Sequence, residues 1–299
     1  MPQKRQSPAP PRLTPEPPPP PADIKIRFWG TRGTVVPELD SPVFGIHTTC
    51  LEVCGRGGSP FFVDLGTGAV RAARDALARG IRKFDFWLTH LHSDHVAGMF
   101  AFAPFYRADC TIRIFSAARE FEKWLRTWFS PPFHPLSFEQ IAATVSFHPM
   151  PASGERDFPG HGLALQWGPV PHPQGCTALR FSAGASSFVF GTDVEIRADG
   201  HGGHLERLLA HPFPAGLAAV DGFFMDSEIH KFPDWGHSSW KEAWELCGRT
   251  GVETLLVTHH HPANADEVLQ AMEAATPAPI HWARESVAWA LENNHARRI

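Results

Sequence analysis

Short apolar segments that end in a polar residue recur along the chain, and they predict an alternation of strands and helices. Residues 24–29 alternate apolar and polar side chains, which is typical of a strand with one buried face. Residues 48–54 and 60–64 predict a hairpin around a glycine-rich turn. Residues 69–79 predict a helix that Gly80 ends, and the apolar run 84–88 predicts a buried strand.

The alternation of apolar strands and helices continues along the rest of the chain. Further strands are expected at residues 111–115, 145–148, 163–167, 177–181, 187–190, 218–225, 253–257 and 280–282. Further helices are expected at residues 96–103, 117–128, 204–210, 238–247, 265–274 and 284–293. Asn264 followed by Glu267 predicts the N-cap of the helix at 265–274. The apolar stripe of the helix at 117–128, formed by Phe121, Trp124, Leu125 and Trp128, is expected to lie in the core.

The first 22 residues differ from the remainder in composition. They contain ten prolines and end in a continuous run at 17–21. Such a segment cannot form a packed element, and we expect a disordered or polyproline II tail over residues 1–22. Residues 23–299 are then expected to form one catalytic domain.

Charge and cysteine content argue against some classes of protein. The formal net charge is -4, from 27 basic and 31 acidic residues, so nucleic acid is not favoured as the main partner. The five cysteines are odd in number and scattered, which argues against a disulfide framework. The start of the sequence has no apolar signal core and no run approaches the roughly 20 apolar residues of a membrane span. We therefore expect a cytoplasmic protein with no membrane association.

One loop carries an unusual density of metal-ligating side chains. The run His90-Leu91-His92-Ser93-Asp94-His95 follows directly after the apolar strand at 84–88. It supplies three imidazoles and a carboxylate within six residues. These donors suit zinc, and equally iron or manganese. The loop therefore predicts a metal site at the carboxyl end of that strand.

Several other predicted strands also end in an aspartate or a histidine. Strand ends that meet at one edge of stacked sheets would bring such side chains together. A single aspartate after a strand is usually a turn former, but a series that includes the 90–95 loop indicates a site. The residues concerned are Asp64, His90, His92, His172, Asp193, Asp226 and His259.

With these residues in order, the sequence resembles the metallo-β-lactamase superfamily of binuclear metallohydrolases over residues 24–285. The segments Gly30-Thr31-Arg32-Gly33-Thr34 and Trp235-Gly236-His237-Ser238-Ser239 resemble the branch that contains ribonuclease Z, PhnP-type phosphodiesterases and PqqB. The resemblance implies an α/β fold, a four-layer αββα sandwich, with metals where the two sheets meet. It leaves a homodimer open.

The resemblance also implies roles for individual residues. It makes His90, His92 and His172 ligands of one divalent metal, and Asp94, His95 and His259 ligands of a second, with Asp193 bridging them and Asp64 supporting the loop from behind. Zinc is the expected metal, with manganese or iron as alternatives.

Two assignments keep alternatives open. His259, His260 and His261 are consecutive, and strand periodicity with the family position favours His259 over His260. His237 is the candidate proton donor, oriented by Asp226, although it is also compatible with a helix-capping loop. His237, Asp94 and Asp226 are the candidate catalytic residues.

The leading hypothesis is a binuclear phosphodiesterase in which a metal-bridging hydroxide attacks a small anionic diester and His237 protonates the leaving oxygen. A tRNA 3′-processing endonuclease is one alternative, although no long glycine-rich basic arm is present in the sequence. An iron-dependent sulfur dioxygenase and a non-catalytic metal-binding or sensor protein are the others.

Overall fold

The computed structural model describes residues 22–35 and 40–299. Its strands are β1 (Ile24–Gly30), β2 (Cys50–Gly55), β3 (Phe61–Val63), β4 (Lys83–Leu88), β5 (Thr111–Ser116), β6 (Thr144–Pro149), β7 (Gly154–Phe158), β8 (Leu163–Val170), β9 (Cys176–Ala183), β10 (Ser186–Gly191), β11 (Leu217–Asp221), β12 (Leu255–Thr258), β13 (Ile280–Trp282), β14 (Ala288–Glu292) and β15 (His295–Arg298). Its helices are α1 (Gly68–Ala78), α2 (Ser93–Val96), α3 (Phe121–Trp128), α4 (Ile196–Asp199), α5 (His204–Ala210), α6 (Trp240–Thr250) and α7 (Asp266–Ala275). Short 3-10 helices span Ala97–Ala101, Ala103–Tyr106, Pro159–His161 and Ile229–Lys231.

The strands form two sheets. One has eight strands in the order β15-β14-β1-β2-β3-β4-β5-β6, and the other has seven in the order β13-β12-β11-β10-β9-β8-β7. Their facing sides share an apolar core in which the rings of Trp87 and Trp167 lie 4.8 Å apart. Sheet packs on sheet because each strand places alternate side chains on the shared face.

Helices cover the two outer faces. Alanines along α1 let that helix approach the eight-stranded sheet closely, and α3 packs on the same face. The seven-stranded sheet is covered by α5, α6 and α7, which bury residues such as Leu205, Leu246 and Leu269. The predicted αββα sandwich is confirmed.

Parallel pairing decides where the site lies. β3, β4 and β5 pair in parallel, as do β10, β11 and β12. The carboxyl ends of parallel neighbours emerge at one edge of a sheet, so the residues that follow these strands come together.

Some sequence predictions were wrong. The helix expected at 284–293 is the hairpin of β14 and β15, turned by Asn293 and Asn294, whose positive φ angles of 49° and 68° suit a two-residue hairpin turn. The residue at the N-cap of α7 is Ala265, with no side-chain cap, so Asn264 and Glu267 do not form the expected pair. The helix expected at 96–103 is a 3-10 helix over Ala97–Ala101, and a second 3-10 helix starts only at Ala103.

The prediction that the apolar stripe of α3 lies in the core is only half correct. Phe121 and Leu125 are buried, but the Trp124 residue is 50% exposed. A sequence stripe gives the apolar face of a helix and does not give how much of that face a neighbour covers.

The tail expected over residues 1–22 lies outside the described residues apart from Ala22, which is buried. Within the described ranges, no helix has both the length and the apolar character to cross a membrane.

Candidate metal centre

The predicted strand-end residues other than Asp226 converge at the edge where the two sheets meet. Their potential ligand atoms fall into two groups, each with members within 4.8 Å of one another. The outer group consists of His90, His92 and His172. The inner group consists of Asp94, His95 and His259, and Asp193 lies against both.

The carboxylate of Asp193 turns one oxygen toward each group. Its Oδ1 lies 3.7 Å from Nε2 of His90 and 3.7 Å from Nε2 of His172. Its Oδ2 lies 3.1 Å from Nε2 of His95 and 3.3 Å from Nε2 of His259. The side chain is 2% exposed, so its charge is balanced by these neighbours rather than by water.

Hydrogen bonds fix the orientation of the outer imidazoles. Nδ1–H of His172 donates to the carbonyl of Gly236 at 2.8 Å, and Nε2–H of His92 donates to Oε1 of Gln174 at 2.9 Å. The carbonyl oxygen of Gly236 and Oε1 of Gln174 accept, so in its neutral form each ring keeps a lone pair on its other nitrogen. Nδ1 of His92 and Nε2 of His172 then face each other at 3.0 Å. Two lone pairs at that distance repel unless a cation lies between them.

Asp64 supports the inner group through a hydrogen bond to the nitrogen of His95 that faces away from Asp193. Nδ1–H of His95 donates to Oδ2 of Asp64 at 2.7 Å. The backbone N–H and the hydroxyl of Thr89 donate to the same carboxylate at 2.8 and 2.9 Å. A carboxylate that accepts from the far nitrogen of an imidazole fixes the tautomer and leaves Nε2 free to bind a metal.

Backbone contacts from the segment after β1 complete the inner group. The N–H of Thr34 donates to Oδ2 of Asp94 at 2.9 Å. Gly33 lies so close to His259 that a Cβ atom there would be 2.7 Å from Nδ1 of the imidazole. This position therefore requires glycine, and a larger side chain would displace the His259 ring.

Electrostatics gives two of the outer rings, His90 and His172, and the Asp94 carboxylate the protonation states that metal binding needs. Burial lowers the pKa of His172 to about 4 and lowers the pKa of His90 well below its usual value. Burial opposes ionisation of Asp94, yet His95 and His259 hold the pKa of that carboxyl well below its usual range. His90 and His172 are therefore neutral and the Asp94 carboxylate is ionised at neutral pH.

His95 differs from the outer rings. Burial disfavours its charged form, but Asp193, Asp94 and Asp64 together raise the pKa of its imidazole well above the usual value. In the metal-free protein His95 therefore carries the proton that a cation would displace.

The donor set fits divalent cations. Nε2 of His90 is buried and has no hydrogen-bond partner among the described residues. The nitrogen and oxygen atoms around Asp193 are 3.1–3.7 Å apart. Two ligands at about 2.0–2.1 Å from a tetrahedral zinc ion are separated by roughly 3.3 Å, so these gaps have the size that one ion fills. A buried, unpaired imidazole nitrogen at such a gap supports metal binding.

Three of the strand-end residues share an unusual backbone conformation. Asp64, Asp193 and His259 have φ angles of 61°, 53° and 60°. This left-handed region is uncommon for residues other than glycine, although aspartate, asparagine and histidine tolerate it best. Backbone strain of this kind is concentrated at functional sites, where surrounding contacts hold it in place.

His237 lies beside both groups, but its carboxylate partner is Asp221. Nδ1 of His237 donates to Oδ2 of Asp221 at 2.9 Å. The expectation that Asp226 orients His237 is wrong, because β11 ends at Asp221 rather than continuing to residue 225. Asp226 is exposed and contacts Ser239 and Lys241 instead.

The structure places the three consecutive histidines in different surroundings. His259 lies in the inner group. His260 points away, donates from Nε2 to the carbonyl of Ala283 at 2.7 Å and stacks on Trp282. His261 is partly exposed, with its ring against Phe223.

Sequence reasoning missed three supporting residues. Asp221 follows the strand-end rule used for Asp64 and Asp193, and it was missed because the apolar run Phe223–Met225 extends beyond the strand. Gln174 and the Thr34 N–H carried no sequence signal, since they act through loop geometry.

Comparisons with known proteins were made for the sequence and for the fold. The family model described as a beta-lactamase superfamily domain matches residues 65–260, well over half of the 299-residue chain. No curated protein matches the sequence.

Solved structures are similar over nearly the whole chain. A diphosphatase from the PhnP family has a TM-score of 0.64 at 16% identity, covering 90% of this chain and 98% of that chain. The short form of human tRNase Z has a TM-score of 0.64 at 15% identity, covering 90% and 99%. Unliganded yeast PDE1 has a TM-score of 0.65 at 14% identity, covering 90% and 100%. These similarities concern the fold.

Proposed function

Because the chain belongs to the metallo-β-lactamase superfamily, we propose that it is a metal-dependent phosphodiesterase with two divalent cations. The observation that carries the proposal is the carboxylate of Asp193, which turns one oxygen to the outer group and the other to the inner group. A carboxylate in this position can be shared by two ions. The PhnP-family diphosphatase among the structural neighbours is compatible with this chemistry.

His90, His92 and His172 would hold one cation, and Asp94, His95 and His259 the other, with Asp193 shared. Divalent cations at these positions would lower the pKa of a bound water to about 7 and offset charge that develops on a phosphoryl group. Asp94 and Asp193 return two negative charges against four positive ones, so the site retains positive charge and favours an anionic substrate.

His237 is the proposed proton donor. Its Nδ1–H is committed to Asp221, so the proton to be transferred is carried on Nε2. Burial opposes the charged imidazole, but Asp221 outweighs it and raises the pKa of His237. Phe223 stacks on the ring at 4.4 Å and holds its plane.

Asp221 is itself held in place. The N–H groups of Phe223 and Ser238 donate to its Oδ1 at 3.1 and 2.9 Å. In the proposed reaction, water adds to phosphorus and releases one proton to solvent, the P–O bond to the leaving group breaks, and the proton on Nε2 of His237 passes to the leaving oxygen.

The test combines metal analysis with a panel of substrates. Protein prepared without chelators should contain two equivalents of zinc, manganese or iron, and it should hydrolyse bis(p-nitrophenyl) phosphate faster than the monoester, β-lactams or thioesters. Two bound metals without hydrolysis of any diester would contradict the phosphodiesterase and favour a metal-binding or sensor protein.

The same panel addresses the alternative of tRNA processing. A tRNA precursor is included both as a substrate and in a gel-shift assay. Cleavage of the precursor at a kcat/KM far above that of small diesters would favour the endonuclease.

A substitution tests the role of His237. His237→Gln should lower kcat by about a hundredfold or more while both metals remain bound, because the substitution removes the proton donor and leaves the ligands in place. The loss should be smaller for p-nitrophenyl esters than for alkyl esters, since an acidic leaving group needs less protonation. An equal loss for both would argue against proton donation.

A further inference from the structure

An aromatic cavity of about 530 Å³ opens beside the outer group. Its wall includes Trp124 and Trp128, four positions apart on α3, and Phe133 from the following loop. Trp124 is 50% exposed and Phe133 is 64% exposed. Large apolar side chains exposed together in a concave surface are typical of a binding site.

The cavity is continuous with the proposed metal centre on one side only. His90, His92 and Gln174 contribute to its lining. His237 and Asp221 are absent from the described residues that line it. A phosphoryl group bound between the inner and outer groups would therefore have the cavity on the side of the outer group. The proposed proton donor, His237, would lie in another direction.

The chemical character of the wall selects an uncharged ring. No aspartate or glutamate is among the described lining residues, and Arg119 is the one lysine or arginine there. Trp128 is fixed by an edge-to-face contact with Phe100 at 5.0 Å, so one side of the wall is rigid. A fixed indole surface favours a planar aromatic group over a flexible chain, because stacking on it loses little side-chain entropy.

We propose that this cavity holds the ester group that stays on phosphorus, and that this group is an aromatic ring. The inference rests on the proposed phosphodiesterase and names its substrate class as an aryl phosphodiester. Water forms the new P–O bond and releases one proton to solvent, the P–O bond on the His237 side breaks, and the Nε2 proton goes to the released alcohol. The product that retains phosphorus is an aryl monoester whose ring lies against Trp124.

Two esters with the same leaving group test the inference: phenyl p-nitrophenyl phosphate and methyl p-nitrophenyl phosphate. The phenyl-to-methyl ratio of kcat/KM is measured for wild type and for the double variant Trp124→Ala, Phe133→Ala. Because both esters are assayed on one preparation, the ratio is independent of losses in folding or metal content. We expect the double variant to lower the ratio by about tenfold, as removal of a stacking partner does elsewhere.

Tyr106→Leu is the matched control, because Tyr106 is an exposed aromatic residue outside the cavity lining. It should keep the wild-type ratio. A ratio that is unchanged in the double variant would overturn the inference. So would a double variant that changes only the oligomeric state in sedimentation, since the cavity would then be a contact between copies of the chain.

Binding separates this inference from the proposed function. Phenylphosphonate and methylphosphonate, which are not hydrolysed, are titrated calorimetrically into the metal-loaded protein. Phenylphosphonate should bind wild type about tenfold more tightly, and the double variant should lose that preference. Equal binding to wild type would overturn the inference whether or not diesters are hydrolysed, whereas selective binding without turnover of any diester would count only against the phosphodiesterase.

Discussion

The inner and outer groups contain the same number of residues, but the protein holds them in different ways. The inner side chains of His95 and His259 are almost completely buried, and His95 is supported by Asp64 at the end of a central strand. In the outer group, His92 is partly exposed, and its support comes from Gln174 in a loop. The difference lies in His92 and its loop partner, because the side chains of His90 and His172 in the outer group are only 3% and 2% exposed. We expect the inner cation to be bound more tightly.

The largest effect should come from the one residue that belongs to both groups. Asp193→Ala should reduce bound metal from two equivalents to less than one and lower kcat/KM for a diester by at least about a thousandfold, because both positions lose a charged ligand. Metal is counted by atomic absorption. Asp226→Asn is the control, and it should retain both metals and full activity, because Asp226 contacts Ser239 and Lys241 rather than the site. A full complement of metal in Asp193→Ala would contradict the shared carboxylate.

The support of the inner group should give the next largest effect. Asp64→Asn should weaken the inner metal by about 10–100-fold and leave the outer one nearly unchanged, because the acceptor of His95 loses its negative charge. Site-resolved affinities are measured by competition with a chromogenic chelator.

Asp85→Asn provides the matched control for loss of a buried carboxylate. Asp85 pairs with Arg113 and His161 and contacts neither group. This variant should lose stability in thermal unfolding but keep both metal affinities. Equal weakening of metal binding in Asp64→Asn and Asp85→Asn would mean that general destabilisation, rather than support of His95, is responsible.

The inner and outer groups should also differ in the number of protons that they release when a metal binds. The raised pKa of His95 means that the metal-free protein carries a proton there at pH 7, whereas His172, with a pKa of about 4, is neutral. Binding of the inner metal should therefore release about one proton more than binding of the outer metal, and inner affinity should rise with pH up to the folded pKa of His95. Calorimetry in two buffers of different ionisation enthalpy measures the difference, and equal release at both positions would contradict it.

The pKa of His95 also predicts how the stability of the metal-free protein depends on pH. A raised folded pKa contributes stability that is fully present below the unfolded value near 6.5 and is lost as pH rises through the folded pKa. Added metal should reverse this trend, because the cation replaces the proton.

The smallest effect on metal affinity is expected from substitution of Gln174, the loop residue that supports the outer group. Gln174→Ala should weaken the outer metal by less than about tenfold, since the partly exposed Nε2 of His92 can donate to water instead. The inner affinity should not change. A loss as large as that of Asp64→Asn would mean that the outer group is as rigidly held as the inner one.

Residues at strand ends could be predicted from the sequence, whereas the loop residue that supports the outer group could not. The 90–95 loop with His172, Asp193 and His259 was identified because metal-ligating side chains follow apolar strands at regular places. Asp221 was missed because the apolar character of the chain continues past the end of β11, so hydrophobic pattern alone misplaced the strand end. Gln174 was missed because a loop contact between distant positions leaves no local pattern.

The fold was predictable for a similar reason, and its errors have similar causes. Strands with strong apolar cores such as β4 and β10 were placed correctly. The hairpin of β14 and β15 was taken for a helix, because Ala288–Leu291 contains good helix formers and its Asn293-Asn294 turn was overlooked.

The central claim is that Asp193 lies between two cations, one in each group. Diffraction data collected above and below the absorption edge of the bound metal test it directly. We expect two anomalous peaks, one within bonding distance of His90, His92 and His172 and the other of Asp94, His95 and His259, with the Asp193 carboxylate between them. A single peak, or two peaks on the same side of that carboxylate, would contradict it.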